Sequence, residues 1–95
     1  MPNKVYADAR RITHNRWQIG CCDVTMQHSA HKQIKAEDNN VAELEAIKFA
    51  KEQFPGHIVL SDSLNNVTGL NDPTVVYVDR ELNIADSFLR CVKVR

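Results

Sequence analysis

Two apolar rhythms run through the chain, a two-residue alternation near its start and a helical spacing from its middle onward. Residues 4–9, Lys-Val-Tyr-Ala-Asp-Ala, alternate well enough to predict a strand. A polar, basic stretch over residues 10–16 reads as a turn, and residues 17–26 predict a second strand. Residues 27–30 can reverse the chain again. Residues 31–36 then return as a third strand, although Ile34 is its one strongly apolar side chain. Short loops of this kind suit an antiparallel meander.

Residues 39–54 change the period. At about 100° per residue, Glu45, Lys48, Lys51 and Glu52 fall on one arc, while Ala42, Ala46, Ile47, Phe49, Ala50 and Phe54 fill the other. This predicts an amphipathic helix, capped by Asn39 or Asn40 and stopped by Pro55-Gly56. Residues 57–62 are β-branched and almost continuously apolar, as in a strand buried on both faces. Residues 63–70 allow one or two helical turns, Asn71-Asp72-Pro73 is turn chemistry, and residues 74–78 predict a fifth strand. Residues 81–92 predict a last helix with Leu82, Ala85, Phe88, Leu89 and Val92 facing inward. Together these describe one α/β domain over residues 1–95. Its mixed five-stranded sheet has three antiparallel strands, then parallel strands with right-handed crossovers, and helices packed on it.

Composition narrows the function classes. The chain has 95 residues, 43% of them hydrophobic and 25% charged, as in an ordinary globular domain. Twelve basic and twelve acidic side chains cancel, so any binding of nucleic acid must come from a local patch rather than a long-range field. No apolar run reaches the roughly 18 residues of a membrane span, and the start of the chain has no signal-peptide pattern. Three cysteines, Cys21, Cys22 and Cys91, at no framework spacing lead us to expect a reducing, cytoplasmic setting. Cys21, Cys22, His28 and His31 do not suggest zinc, because neighbouring strand residues point to opposite faces and no Cys-x-x-Cys is present. Trp17 reads as sheet core, and His14 and His57 as structural.

Four acids stand where acids are costly. Glu43 falls inside the apolar arc of the central helix, in line with Ala46, Ile47 and Ala50. Asp8 lies in a strand otherwise built from Val5 and Tyr6, Asp62 ends the most hydrophobic strand, and Asp86 borders the stripe of the last helix. Ligand sites in such sheets gather beyond the carboxyl ends of the parallel strands. Four carboxylates gathered there would repel, and their ionised form would need a cation. All-oxygen ligation suits Mg²⁺ or Mn²⁺. Two such ions about 4 Å apart are a common device for in-line attack of water on a phosphodiester.

These residues, in order, resemble the ribonuclease H family over roughly residues 5–89. The likeness rests on an Asp in the first strand (Asp8) and on the helix opening Asn39-Asn40-Val41-Ala42-Glu43-Leu44. It rests also on Ser61-Asp62-Ser63 and on the closing run Val78-Asp79-Arg80-Glu81-Leu82-Asn83-Ile84-Ala85-Asp86, a pattern of compact and plant-type members. The resemblance implies a ribonuclease H-like fold and an endonuclease cutting the RNA strand of RNA–DNA hybrids to leave 5′-phosphate ends. It implies two Mg²⁺ ions, or Mn²⁺ as substitute, held by Asp8, Glu43, Asp62 and Asp86, with Asn40 and Ser63 near the hybrid's minor groove, where the 2′-hydroxyl marks RNA. Arg10, Arg11 and Arg16 can form a phosphate-contacting patch or a solvated loop.

The chain departs from the family in three places. Asp8-Ala9-Arg10 replaces the usual Asp-Gly-Ser, no histidine precedes the last helix, and the eleven residues between Asp62 and Thr74 leave no room for a basic handle. We therefore expect weak, salt-sensitive substrate binding, with a second copy of the chain or a larger assembly supplying grip. Singly, each acid has a plainer reading. Glu43 can pair with Arg10 or Lys4, Asp62 can cap the following helix, Asp86 can be a helix surface residue and Asp8 a strand-end aspartate. Two other functions remain open at this level: a nuclease of the same fold acting on structured DNA or strand ends, and a non-cleaving module binding nucleic acid or protein.

Overall fold

A computed structural model describes residues 3–25 and 27–92. Strand β1 (Lys4–Arg11) pairs antiparallel with β2 (Arg16–Asp23), and β2 with β3 (Ser29–Lys35). Helix α1 (Asn39–Gln53) then crosses to β4 (Ile58–Ser61), which runs parallel to β1 on its free side. Helix α2 (Leu64–Leu70) leads to β5 (Val75–Tyr77), parallel to β4. After a 3₁₀ turn at Arg80–Leu82, helix α3 (Ile84–Cys91) is the last described element. The sheet order is β3-β2-β1-β4-β5, a mixed five-stranded sheet in an α/β domain. No helix among the described residues is long and apolar enough to cross a membrane.

The alternation read along the first strands is what the sheet uses. Val5, Ala7, Ile19 and Cys21 point to one face and are buried against Ala46, Ile47, Phe49 and Ala50 of α1. A smaller cluster of Trp17, Ala36 and Ala42 extends this core toward the start of α1. The opposite face of β1 and β2 is covered by α3. Gly20 permits that cover: a Cβ there would stand 2.6 Å from Leu89 Cδ2. Gly20 is also the cross-strand partner of Asp8, so the close seat of α3 and the first acid share one face of the sheet.

Several boundaries differ from the sequence reading, each for a local reason. β3 begins at Ser29 rather than His31, because an edge strand is held by its ladder to β2 more than by its own apolar side chains. β2 stops at Asp23, whose Oδ1 accepts from the backbone N–H of Gln27 at 3.0 Å and so closes the turn; Met26, the last residue of the predicted strand, lies outside the described residues. Helix α1 is capped by Asp38, not by Asn39 or Asn40: its Oδ1 accepts from Val41 N at 3.0 Å, and its charge suits the positive helix end. Leu82 is not inward-facing but 62% exposed. The 3₁₀ turn and the cap at Asn83 restart the helical phase at Ile84, so the predicted stripe keeps Ala85 and Leu89 and loses its first member.

Gly20→Val should lower the free energy of unfolding by about 1–3 kcal/mol, since Leu89 is wholly buried and has nowhere to retreat. Gly69→Ala, in exposed α2 with open space around it, should raise the same quantity by about 0.5–1 kcal/mol. Denaturant unfolding of the two variants beside the parent measures both shifts.

Candidate metal centre

Each element delivers its acid for a reason visible in its own sequence. Asp8 sits on β1, flanked by β2 and β4, where burial on both sides leaves it 6% exposed. Glu43 follows the Asp38 cap by five residues and lies on the buried side of α1, 3% exposed. Asp62 is the first residue beyond β4, at the carboxyl end of a parallel strand. One carboxylate oxygen from each of these three lies within 4.8 Å of the other two. Asp86, in the first turn of α3, stands outside this trio but lines the same cleft of about 230 Å³, together with Ala9, Asn39 and Arg80. Its Oδ2 is 3.2 Å from Arg90 Nη2.

Hydrogen bonds hold the frame. The backbone N–H of Ala9 donates to Glu43 Oε1 at 3.1 Å, which orients the carboxyl toward Asp8. Its Oε2 is buried and has no partner among the described residues. Neither Arg10 nor Lys4 is ion-paired with Glu43 there, so the salt-bridge reading of this residue is not what the fold adopts. Asn83, 3% exposed, donates from Nδ2 to the carbonyl of Ala7 at 3.0 Å and accepts on Oδ1 from Ala85 N at 3.1 Å. One amide thus caps α3 and ties it to β1 beside Asp8.

The charge state follows from burial. Desolvation, then the charge of Asp62, pushes the Asp8 carboxyl up to about 7. Desolvation, then the charge of Asp8, pushes Glu43 up to about 9. Asp62 is raised by burial and restrained by the Asn83 side chain and the Arg80 charge. The donor set fits a hard divalent cation: three carboxylates with no sulfur or imidazole, and one buried oxygen still lacking a partner.

The remaining candidates fall nearby. Asn40 and Ser63 do not line the cleft. Asn66 Nδ2 draws them together, donating to the Asn40 carbonyl at 2.8 Å and to Ser63 Oγ at 2.9 Å. Asp62 does not cap α2 through its side chain; the cap position is Ser63. Arg10 and Arg11 line an adjoining groove, whereas Arg16 lines a separate hollow with Gln33 and Lys35. Arg90 had no place in the sequence reading, while Asn39 stood there as a cap candidate and Arg80 and Asn83 as members of the closing motif, none of them with a role at the site. An asparagine directly before an apolar helical run is a cap signal that could have given Asn83 its role. A larger open hollow of about 730 Å³ at the other end of the strands gathers no such acid set, and its Asp23 is committed to the turn. No family model matches the chain, and no curated protein matches it.

Without divalent cations, stability should fall as pH rises. Below about 4 Asp8 and Glu43 are protonated whether folded or not; as pH climbs, the unfolded chain ionises first, and stability is lost until the folded carboxyls ionise near 7 and 9. Melting in EDTA from pH 5 to 9 should show this decline, and Glu43→Gln should flatten its upper half. A Glu43→Gln protein with the parent's slope would contradict the assignment.

Proposed function

We propose that the chain is a ribonuclease H-like, metal-dependent endonuclease that cuts the RNA strand of RNA–DNA hybrids. The observation that carries the reading is the convergence of Asp8, Glu43 and Asp62 with Glu43 Oε2 buried and unpartnered. Such a group leaves a full desolvation penalty uncompensated unless a cation or a proton meets it. Mixed sheet order, the acid at the carboxyl end of β4 and the motif order along the chain support the family resemblance from a second direction.

Asp8, Glu43 and Asp62 would hold the ions, Mg²⁺ or Mn²⁺, with Asp86 completing the wall from α3. Two bound divalent cations supply Lewis acidity, favouring hydroxide at the attacking water and neutralising charge on the leaving 3′ oxygen. The protein's share is positioning. Ala9 N–H fixes Glu43, Asn83 fixes the start of α3 and with it Asp86, and Arg80 offsets the charge of Asp62. Water attacks phosphorus, the bond to the 3′ oxygen breaks, and the products carry a 5′-phosphate and a 3′-hydroxyl. Asn40, Asn66 and Ser63 offer a polar trio at the edge of the site for reading a 2′-hydroxyl.

Labelled RNA–DNA hybrid, double-stranded RNA and double-stranded DNA, each incubated with Mg²⁺ or Mn²⁺, should show cutting of the hybrid alone, lost by at least 100-fold (~3 kcal/mol) in Asp62→Asn. Cutting of DNA would move the assignment to a different nuclease of the same architecture, and no metal-dependent cutting of any substrate would remove it. Millimolar Mg²⁺ should also raise the melting temperature of the parent, because ligation of the native state alone stabilises it. An Asp8→Asn protein should lose that rise.

A further inference from the structure

We infer that the groove adjoining the acid cleft is a track for the phosphodiester backbone of the hybrid strand that continues away from the reacting phosphate. This rests on the nuclease reading above and adds to it a place where the substrate is gripped. The groove has a volume of about 440 Å³ and carries Arg10, Arg11, Arg80 and Arg90 around one concave surface. The chain as a whole has no net charge, so four of its twelve basic side chains converging here make a local field that the average conceals. All four are exposed to solvent.

Continuity with the acids gives the groove its direction. Ala9, Asn39, Arg80 and Asp86 line both hollows, so a strand lying across the arginines runs into the carboxylate trio without a break. The charge order, positive then negative, suits a polyanion whose one reacting phosphate meets cations at the acids while its neighbours meet guanidinium groups.

Arg11 is already arranged for this task. Its Cζ lies 5.4 Å from the centre of the Trp17 ring, and its Nη2 donates to the carbonyl of His14 at 2.8 Å. Stacking and one hydrogen bond fix the plane of the guanidinium and leave further N–H donors free, which lowers the side-chain entropy lost on meeting phosphate. Arg90 and Arg80 stand at the acid end, Arg90 bonded to Asp86 and Arg80 within the field of Asp62. This grip lies within one chain. It does not require the missing basic handle or a second copy.

Affinity for a short fluorescein-labelled RNA–DNA hybrid, measured by anisotropy in EDTA across a range of salt, tests the track. Arg10→Gln, Arg11→Gln and Arg90→Gln should each reduce the slope of log affinity against log salt by about 0.7–0.9, one phosphate contact apiece. Arg16→Gln, the same charge change outside the groove, should leave the slope as in the parent. Arg10 and Arg90 are exposed, so those two variants decide the matter even should loss of the Trp17 stack unfold the Arg11 variant. Equal slopes for the parent and all groove variants would overturn the track, as would a loss in Arg16→Gln as large as theirs. Cleavage by the parent in Mg²⁺ separates the two ideas. Reduced slopes without any cutting keep the track and remove the nuclease; cutting with unchanged slopes does the reverse.

Discussion

Mutual repulsion among three carboxylates, two buried and the third half-buried, is the constraint around which the rest of this domain is arranged. Charges no more than 4.8 Å apart repel by about 3 kcal/mol or more per pair at an effective dielectric near 20. Three ionised pairs would therefore cost about 10 kcal/mol, as much as the whole stability of a typical small domain. The fold cannot hold Asp8, Glu43 and Asp62 all charged and uncompensated. A proton on Glu43 is one resolution, consistent with its upward shift; a divalent cation is the other, and it leaves the acids available for chemistry at neutral pH.

The architecture brings these acids together from three separate places in the chain. β1 and β4 are neighbours only because α1 crosses between them, and that same helix supplies Glu43 from its buried side. The far face depends on α3, whose seat is set by Gly20 against Leu89 and by Asn83 bridging to the Ala7 carbonyl. Both devices touch β1 or its partner directly beside Asp8, so packing on that face and geometry at the site are one mechanical unit. The arginine groove extends the same end of the molecule, which places the guanidinium groups and the acid cleft side by side.

Much of this was legible in the residues themselves. Alternation predicted the first strand, the helical arc gathered Ala46, Ile47 and Ala50 on one face, where they pack on the sheet, and an acid on that arc marked Glu43 as unusual. What escaped was local and three-dimensional. Asp38 took the cap from Asn39 and Asn40 because helix starts are decided by one hydrogen bond, which periodicity does not record. Leu82 left the last helix because a 3₁₀ turn reset its phase. Arg80 and Arg90 belong to the site through the fold alone, lying 70 and more residues from Arg10 in sequence yet lining one groove with it. Asn40 and Ser63 came close to one another, but through Asn66, a residue to which no motif pointed.

The account stands or falls on whether divalent ions occupy the carboxylate trio. Crystals grown with Mn²⁺ and measured at its absorption edge give the most direct answer. The account predicts anomalous peaks between Asp8, Glu43 and Asp62, absent from crystals of Asp8→Asn. Well-ordered crystals with no peak there, or with manganese bound elsewhere on the molecule, would contradict it.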